Sequence, residues 1–427
     1  MSRKVEELLA GGYRTAYDKT LAIRYMLLGP TLRDTSTELI AVADRLQNRL
    51  GVFDQLTAIE MVERGKPFFW QTVHRLRRSL SRGDDPSPSI LARHLLMVAF
   101  DAFFEQLEDG AEVPLDAVPD AEVVLPKLGV RCATGGREVR LRRIDGSHLE
   151  LDFDREVERI DLEAPEATCT LPRFRIPAFA ETRLLAFRDP ALFPTEAFHR
   201  IAPELETPAA HDLALRIGDG FELVREVDPE LAAHIDNLID WFVPLSSPDG
   251  NVDNAFSSSD LAGLIFISEA DRGLHLAETL VHEYHHNELN LILEVEPLFE
   301  SRPDELFYSP WREDPRPLAG LIHALHVFVA LADFYRRALD VPALAEHHDA
   351  CRERLRCIVS QLRTGLLQVP VERLTDLGRE LLAGMEEELR QQRGAENSRA
   401  TLPAAQQRHL ESWRRRHPQH AERLRLP

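Results

Sequence analysis

The sequence predicts an α+β protein, mostly helical, with a small β-rich middle region. Three observations carry this reading. Apolar residues recur at helical spacing in residues 1–110 and again beyond residue 200. Between about 111 and 187 the chain breaks into short alternating runs punctuated by glycine. The stretch Leu274–Leu293 is long, periodic and free of Gly and Pro, and it gathers histidine and glutamate.

At 427 residues the chain is long enough for two or three domains. Lys and Arg number 51 against 71 Asp and Glu, a formal net charge of −20, which argues against a general nucleic-acid binder. No apolar run is expected to reach the ~18–20 residues of a membrane span. The opening Met-Ser-Arg-Lys-Val-Glu-Glu has no apolar core for a secretory signal. Cys132, Cys169, Cys351 and Cys357 are too scattered for a disulfide framework or a Cys-type zinc knuckle. A reducing, cytoplasmic setting is expected.

Residues 1–110 form the helical N-terminal region, with Thr37–Leu50 and Ile90–Leu107 as its clearest helices. Residues 111–196 are the β-rich region. Its strands are Glu122–Leu125, Arg137–Arg142 and His148–Phe153, with turns at Gly135-Gly136 and Asp145-Gly146. Pro172, Pro177, Pro190 and Pro194 mark the next boundary. Residues 197–390 open with helices at His211–Val224, weakened by Gly218 and Gly220, and Pro229–Trp241. Phe242–Leu245 reads as a short edge strand because Pro244 cannot donate to a ladder. A turn at Ser246–Gly250 and a buried strand at Leu261–Ser268 follow. Residues 391–427 form a basic tail, eight Arg against three Glu, whose Gln406–Arg416 stretch reads as a solvated terminal helix. There is no Walker loop and no G-x-G-x-x-G.

The chemistry concentrates in His282-Glu283-Tyr284-His285-His286, an H-E-x-x-H. Four residues make about one helical turn, so His282 and His286 share a face on which two imidazoles can bind one metal ion. Glu283 sits one residue round, positioned to act on a metal-bound water or to orient a ligand. His275 and Glu278 continue that face as supporting partners, and His285 points elsewhere. The fold expected here is zincin-like, so 197–390 is the HExxH metal-binding catalytic domain. Leu289 and Ile292 stand where the metzincin pattern needs Gly and His, which excludes that class.

A third ligand is needed. Glu294, Glu296, Glu300 and Glu305 are available in the gluzincin manner, and His323, with His326 as fallback, lies in the helix-patterned Pro317–Arg337. Arg316, Gly320, His323 and Val327 fall on one face of that stretch, and Gly320 would let it approach the metal helix closely. Just before it, the stiff loop Tyr308–Pro317 presents Arg312 and Arg316, whose planar guanidinium groups suit a carboxylate. Pairing with Asp314 is the structural alternative.

The run from LAGLIFIS through HEYHH to YSPWREDPRPLAGLIHALHVFVALADFYRR resembles the HExxH-motif family of peptide-modification proteins, over about Asp228–Arg337 and more loosely to Trp413. That family includes iron(II)- and 2-oxoglutarate-dependent β-hydroxylases of ribosomally made, post-translationally modified peptides. The resemblance implies Fe(II) held by His282, His286 and His323, with Arg312 or Arg316 on the 2-oxoglutarate co-substrate and Glu283 as the motif glutamate. It implies a precursor peptide as substrate. The spacing alone favours the other reading, a zinc peptidase of gluzincin type with Glu283 as general base. A non-catalytic scaffold that recognises a leader peptide is the third. By analogy of fold, Leu261–Ser268 would take an extended peptide by strand addition.

Overall fold

Two turn signals organise the middle region. Gly135 and Gly136 adopt φ of 59° and 72°, where a side chain is strained, and Asp145 Oδ1 accepts the Ser147 N–H at 2.8 Å to close the next turn. The computed structural model describes residues 93, 96, 97, 100 and 101 and most of 104–163, 170–185, 207–245, 255–268, 273–392 and 404–425. The helices expected at Thr37–Leu50 and across half of Ile90–Leu107 lie outside the described residues, as do the turn at Ser246–Gly250 and the start of the basic tail.

The fold is mixed α and β, more than half helical, with small sheets in the middle region. Strands β1 (Glu112–Leu115), β4 (Val139–Arg143), β5 (His148–Asp152) and β6 (Val157–Asp161) form an antiparallel sheet in the order β1-β4-β5-β6, and β2 (Glu122–Leu125) pairs with β3 (Val130–Ala133). Leu149 and Leu151 are fully buried, as their alternation predicts. Glu150 lies 4 % exposed and is bonded by Arg142 and Arg159 at 3.0 Å each.

A second sheet has the order β10-β11-β9-β8-β7, from β7 (Arg173–Arg175), β8 (Arg183–Leu185), β9 (Trp241–Leu245), β10 (Ala255–Ser257) and β11 (Leu264–Ser268). Two expectations are corrected here. Strand β9 is internal: β8 pairs only with Trp241 and Phe242, so Pro244 lies beyond that ladder and its missing N–H breaks no bond to β8. Strand β11 is the buried strand expected, but β9 and β10 occupy both its edges, so it has no free edge for strand addition to a peptide.

The described residues fall into two compact units. One holds the residues up to 215 with 239–271, and the other holds 216–238 with those from 273 onward. The second is helical. Helix α1 (Thr207–Val227) leads to α2 (Pro229–Leu238), whose start is capped by Asp228 Oδ1 accepting the Leu231 N–H at 3.0 Å. The sequence pattern carries α2 on to Trp241, but the helix stops at Leu238. The N–H groups of Asp240 and Trp241 turn instead to the Gly263 carbonyl and begin β9. The motif helix α3 (Gly273–Val295) follows, then the two-residue strands β12 (Leu306–Phe307) and β13 (Arg316–Pro317). Next come α4 (Leu318–Ala338), α5 (His348–Leu366), α6 (Asp376–Gln392) and α7 (Ala404–Arg416).

Gly220 of α1 explains itself. A Cβ there would lie 2.9 Å from Leu276 Cγ, so its absence lets α3 pack close, offsetting the ~1 kcal/mol that a glycine costs inside a helix. Helix α4 corrects another expectation, being long and apolar enough by composition to cross a membrane; 56 % of that stretch is buried within the protein. Helix α7 is not a solvated tail. Leu410 and Trp413 are buried against Tyr308, Tyr308 Oη lies 3.0 Å from His409 Nδ1, and Arg416 pairs with Glu313 at 2.7 Å. The arginines face outward while the apolar stripe grips the loop ahead of α4.

Three helices are clamped at Glu278 of α3. Arg354 of α5 donates from Nε to both carboxylate oxygens at 3.1 Å and from Nη2 to Oε1, and the Tyr335 hydroxyl of α4 donates to Oε2. Burial alone would raise the Glu278 carboxyl, but the Arg354 guanidinium and then Tyr335 hold it below the ordinary carboxylate range. Glu278→Gln is expected to lower stability at pH 7 by about 2–3 kcal/mol, below the usual cost of breaking a fully buried pair because Arg354 keeps some exposure to water. A depressed folded pKa means the unfolded chain takes up the proton first as pH falls. The wild-type advantage is therefore complete above about pH 4.5 and shrinks in acid. Denaturant melts of both proteins at pH 7 and pH 4 measure it.

Candidate metal centre

Helices α3 and α4 pack with their histidines facing one another. One turn of α3 separates His282 from His286, and their Nε2 atoms stand 3.1 Å apart. From α4, His323 brings Nδ1 to 3.3 Å from Nδ1 of His286. His286 is thus flanked on both ring edges. An imidazole gives one nitrogen to a given ion, so a single metal held by all three needs the His323 ring turned to join the Nε2 pair.

Burial sets their charge state. Desolvation lowers His282 to about 4, helped by Arg354 and His285 and opposed by Glu278. Desolvation and then the neighbouring His326 lower His323 to about 4. His286 lies well below its ordinary value through burial, then His282 and His323. All three are neutral at pH 7, with lone pairs available, and an all-imidazole donor set fits Fe(II) or Zn(II).

The aromatic surroundings hold this corner rigid. His282 meets the Phe328 ring edge-on at 5.6 Å, and Trp311 of the preceding loop stacks on Phe328 at 4.8 Å and 17°. Trp311 fits because α5 carries glycine at 365, where a Cβ would come within 2.8 Å of the indole. The loop bearing the arginines is thereby pinned beside the motif helix.

The remaining expected residues fall as follows. Glu283 is 3 % exposed, and its backbone carbonyl accepts from Asn287 Nδ2 at 3.0 Å. Arg312 and Arg316 share Asp314, at 3.4 and 3.1 Å, so the structural pairing is present in both. Arg316 lies over Gly320: a Cβ there would be 3.2 Å from its Nε. The space left by that glycine therefore receives Arg316, and the close approach to the motif helix belongs to Gly220. Of the candidate carboxylates, Glu300 pairs with Arg302 and Arg373, and Glu305 with Arg373, while the side chains of Glu294 and Glu296 are not among those described. Glu278, expected as support for the motif, serves Arg354 and Tyr335, with His275 adding to the field that lowers it.

Sequence reasoning passes over Glu288 and sets His285 aside. Glu288 Oε2 lies 2.8 Å from His285 Nδ1 and 2.5 Å from His326 Nε2. The signal is present as the i, i+3 spacing of His285 and Glu288 on α3, matched by His326 three residues after His323 on α4. Compared with known protein families and with curated proteins, the chain has no significant match to either.

His323→Ala is expected to weaken Fe(II) binding at the His282–His286 pair by about 100-fold or more, at or beyond the range seen when a ligand's supporting partner is removed. Glu300→Ala is expected to leave it unchanged. Anaerobic Fe(II) titration of both variants measures the difference, and loss of the metal in Glu300→Ala alone would establish the gluzincin arrangement instead.

Proposed function

We propose that this chain is an Fe(II)- and 2-oxoglutarate-dependent hydroxylase acting on the β-carbon of a side chain in a ribosomally made precursor peptide. The observation that carries the reading is the gathering of three neutral imidazoles, His282, His286 and His323, between α3 and α4. The resemblance of Asp228–Arg337 to HExxH peptide-modification proteins supplies the reaction class, and the arginine loop supports it.

His282, His286 and His323 would hold the iron, and iron with 2-oxoglutarate and oxygen supplies the oxidation of an unactivated C–H bond. The rest falls to the chain's own residues. Burial keeps the imidazoles neutral, so each offers one lone pair to a metal once its remaining N–H sits on the other ring nitrogen. Phe328 and the Trp311 stack fix the His282 ring and exclude water from its face. Arg316, in register with Gly320 and one turn further His323, offers its planar fork to the distal carboxylate of the co-substrate. Asp314 keeps that fork oriented until the dicarboxylate competes for it. Arg312, 60 % exposed in its side chain, serves less well because its head remains in water. The zinc-peptidase reading needs a carboxylate ligand; of its four candidates, the two whose side chains are described, Glu300 and Glu305, are engaged by arginine.

A charge-assisted bidentate pair contributes on the order of 1.5–3 kcal/mol. Arg316→Ala is therefore expected to raise the 2-oxoglutarate requirement roughly ten- to a hundredfold, with Arg316→Lys recovering only part and Arg312→Ala moving it less. Succinate release by the Fe(II)-loaded protein under oxygen, titrated against 2-oxoglutarate, measures this, alongside a one-oxygen mass gain on peptide. Peptide cleavage with Zn(II) and no 2-oxoglutarate would replace the hydroxylase by the peptidase.

A further inference from the structure

One turn along the same two helices lies a second group that the proposed hydroxylase does not use. His285 and Glu288 of α3 and His326 of α4 present Nδ1, Oε2 and Nε2 within 4.8 Å of one another. Their side chains are 13 %, 5 % and 12 % exposed. The group opens into a cavity of about 330 Å³ between α2, α3, α4 and α6.

The wall of that cavity mixes apolar side chains, among them Leu231, Val329, Phe334, Leu381 and Met385, with carboxylates. Besides Glu288 it carries Asp228, Glu230, Asp333 and Glu388, and no described lining residue is Lys or Arg. Arg337 ties Asp228 and Asp333 from outside the lining, at 3.1 and 2.7 Å.

We propose that His285, Glu288 and His326 form a second divalent-metal site, with its open coordination positions facing the acidic cavity. Two imidazoles and a carboxylate are a donor set that first-row divalent ions such as Zn(II) and Fe(II) accept. A carboxylate serving only as a brace between helices would need neither the cavity nor its acidic wall. In the metal-free protein Glu288 accepts N–H bonds from both rings, and an ion would replace those two protons with itself. The inference goes beyond the hydroxylase reading and does not depend on it, because none of the three residues belongs to the His282–His286–His323 group.

The test is metal stoichiometry on the full chain, stripped with chelator and titrated with Zn(II) alone, read by mass spectrometry of bound metal and by competition with a chromophoric chelator. Wild type is expected to hold two equivalents. Glu288→Gln, nearly isosteric and still able to bond both rings, is expected to hold one and to weaken the other by about 100-fold or more, with an unchanged far-ultraviolet spectrum. His326→Ala is expected to do the same, and His282→Ala is expected to lose the other equivalent while keeping this one. The proposal is overturned if Glu288→Gln retains every equivalent that wild type binds, or if His282→Ala removes all of them. It is also overturned if the cavity binds methylammonium in preference to Zn(II). Failure of the hydroxylase reading would show separately, as absence of succinate formation with the second equivalent intact.

Discussion

Polar groups buried between α3 and α4 are the constraint on which the rest of this unit depends. Each unpaired imidazole or carboxylate in such a place costs free energy comparable to a lost hydrogen bond or more, so the two helices must hold a register in which the groups find one another. That register is fixed from behind by Glu278, which draws α4 and α5 onto α3 through Tyr335 and Arg354. It is fixed on a further side by Gly220, where α1 admits Leu276. With the register set, successive groups of α3 meet the histidines of α4: His286 meets His323, and Glu288 meets His326.

The loop that precedes α4 inherits its order from this arrangement. Trp311 reaches the motif helix through Phe328, and its indole occupies the space left at Gly365. From the other side, Tyr308 is covered by Leu410 and Trp413, and Glu313 is held by Arg416. Trp311 and Glu313 are anchored on either side of Arg312, and Arg316 is held in β13 against Phe307. Preorganisation of that kind lowers the cost of recognising a small anion, because the ordering is done during folding.

Much of this is legible in the residues. The span of α3 follows from an uninterrupted helical pattern, and the approach of His282 to His286 follows from their spacing alone. On residue types His323 is one of several candidate ligands; its position beside His286 needs the pairing of two helices. The turns at Gly135-Gly136 and Asp145-Gly146 are readable because glycine at positive φ and an Asx turn are local properties. What is not legible is relational. Pro244 suggests an edge, but the length of β8 decides whether an N–H is needed there. Gly320 announces a close neighbour without saying that the neighbour is Arg316. Glu288 looks like any glutamate on a helix until α4 places His326 against it. Helix α7 reads as solvated because four of its residues are arginine and only Leu410 and Trp413 are large and apolar, yet those two are buried and dock it.

The grip of α7 on Tyr308 also orders events in time. Tyr308 and His409 are 101 residues apart in the chain, and contacts of such separation close late because the intervening chain must first be confined. The α3–α4 pair can assemble from nearby segments, whereas the arginine loop receives its second anchor only when α7 docks. A nascent chain would therefore pass through a stage in which the imidazoles are already gathered and the arginine loop is held by Trp311 alone. On the proposed function, competence for the metal would precede competence for the co-substrate, and the last helix to arrive would complete the site.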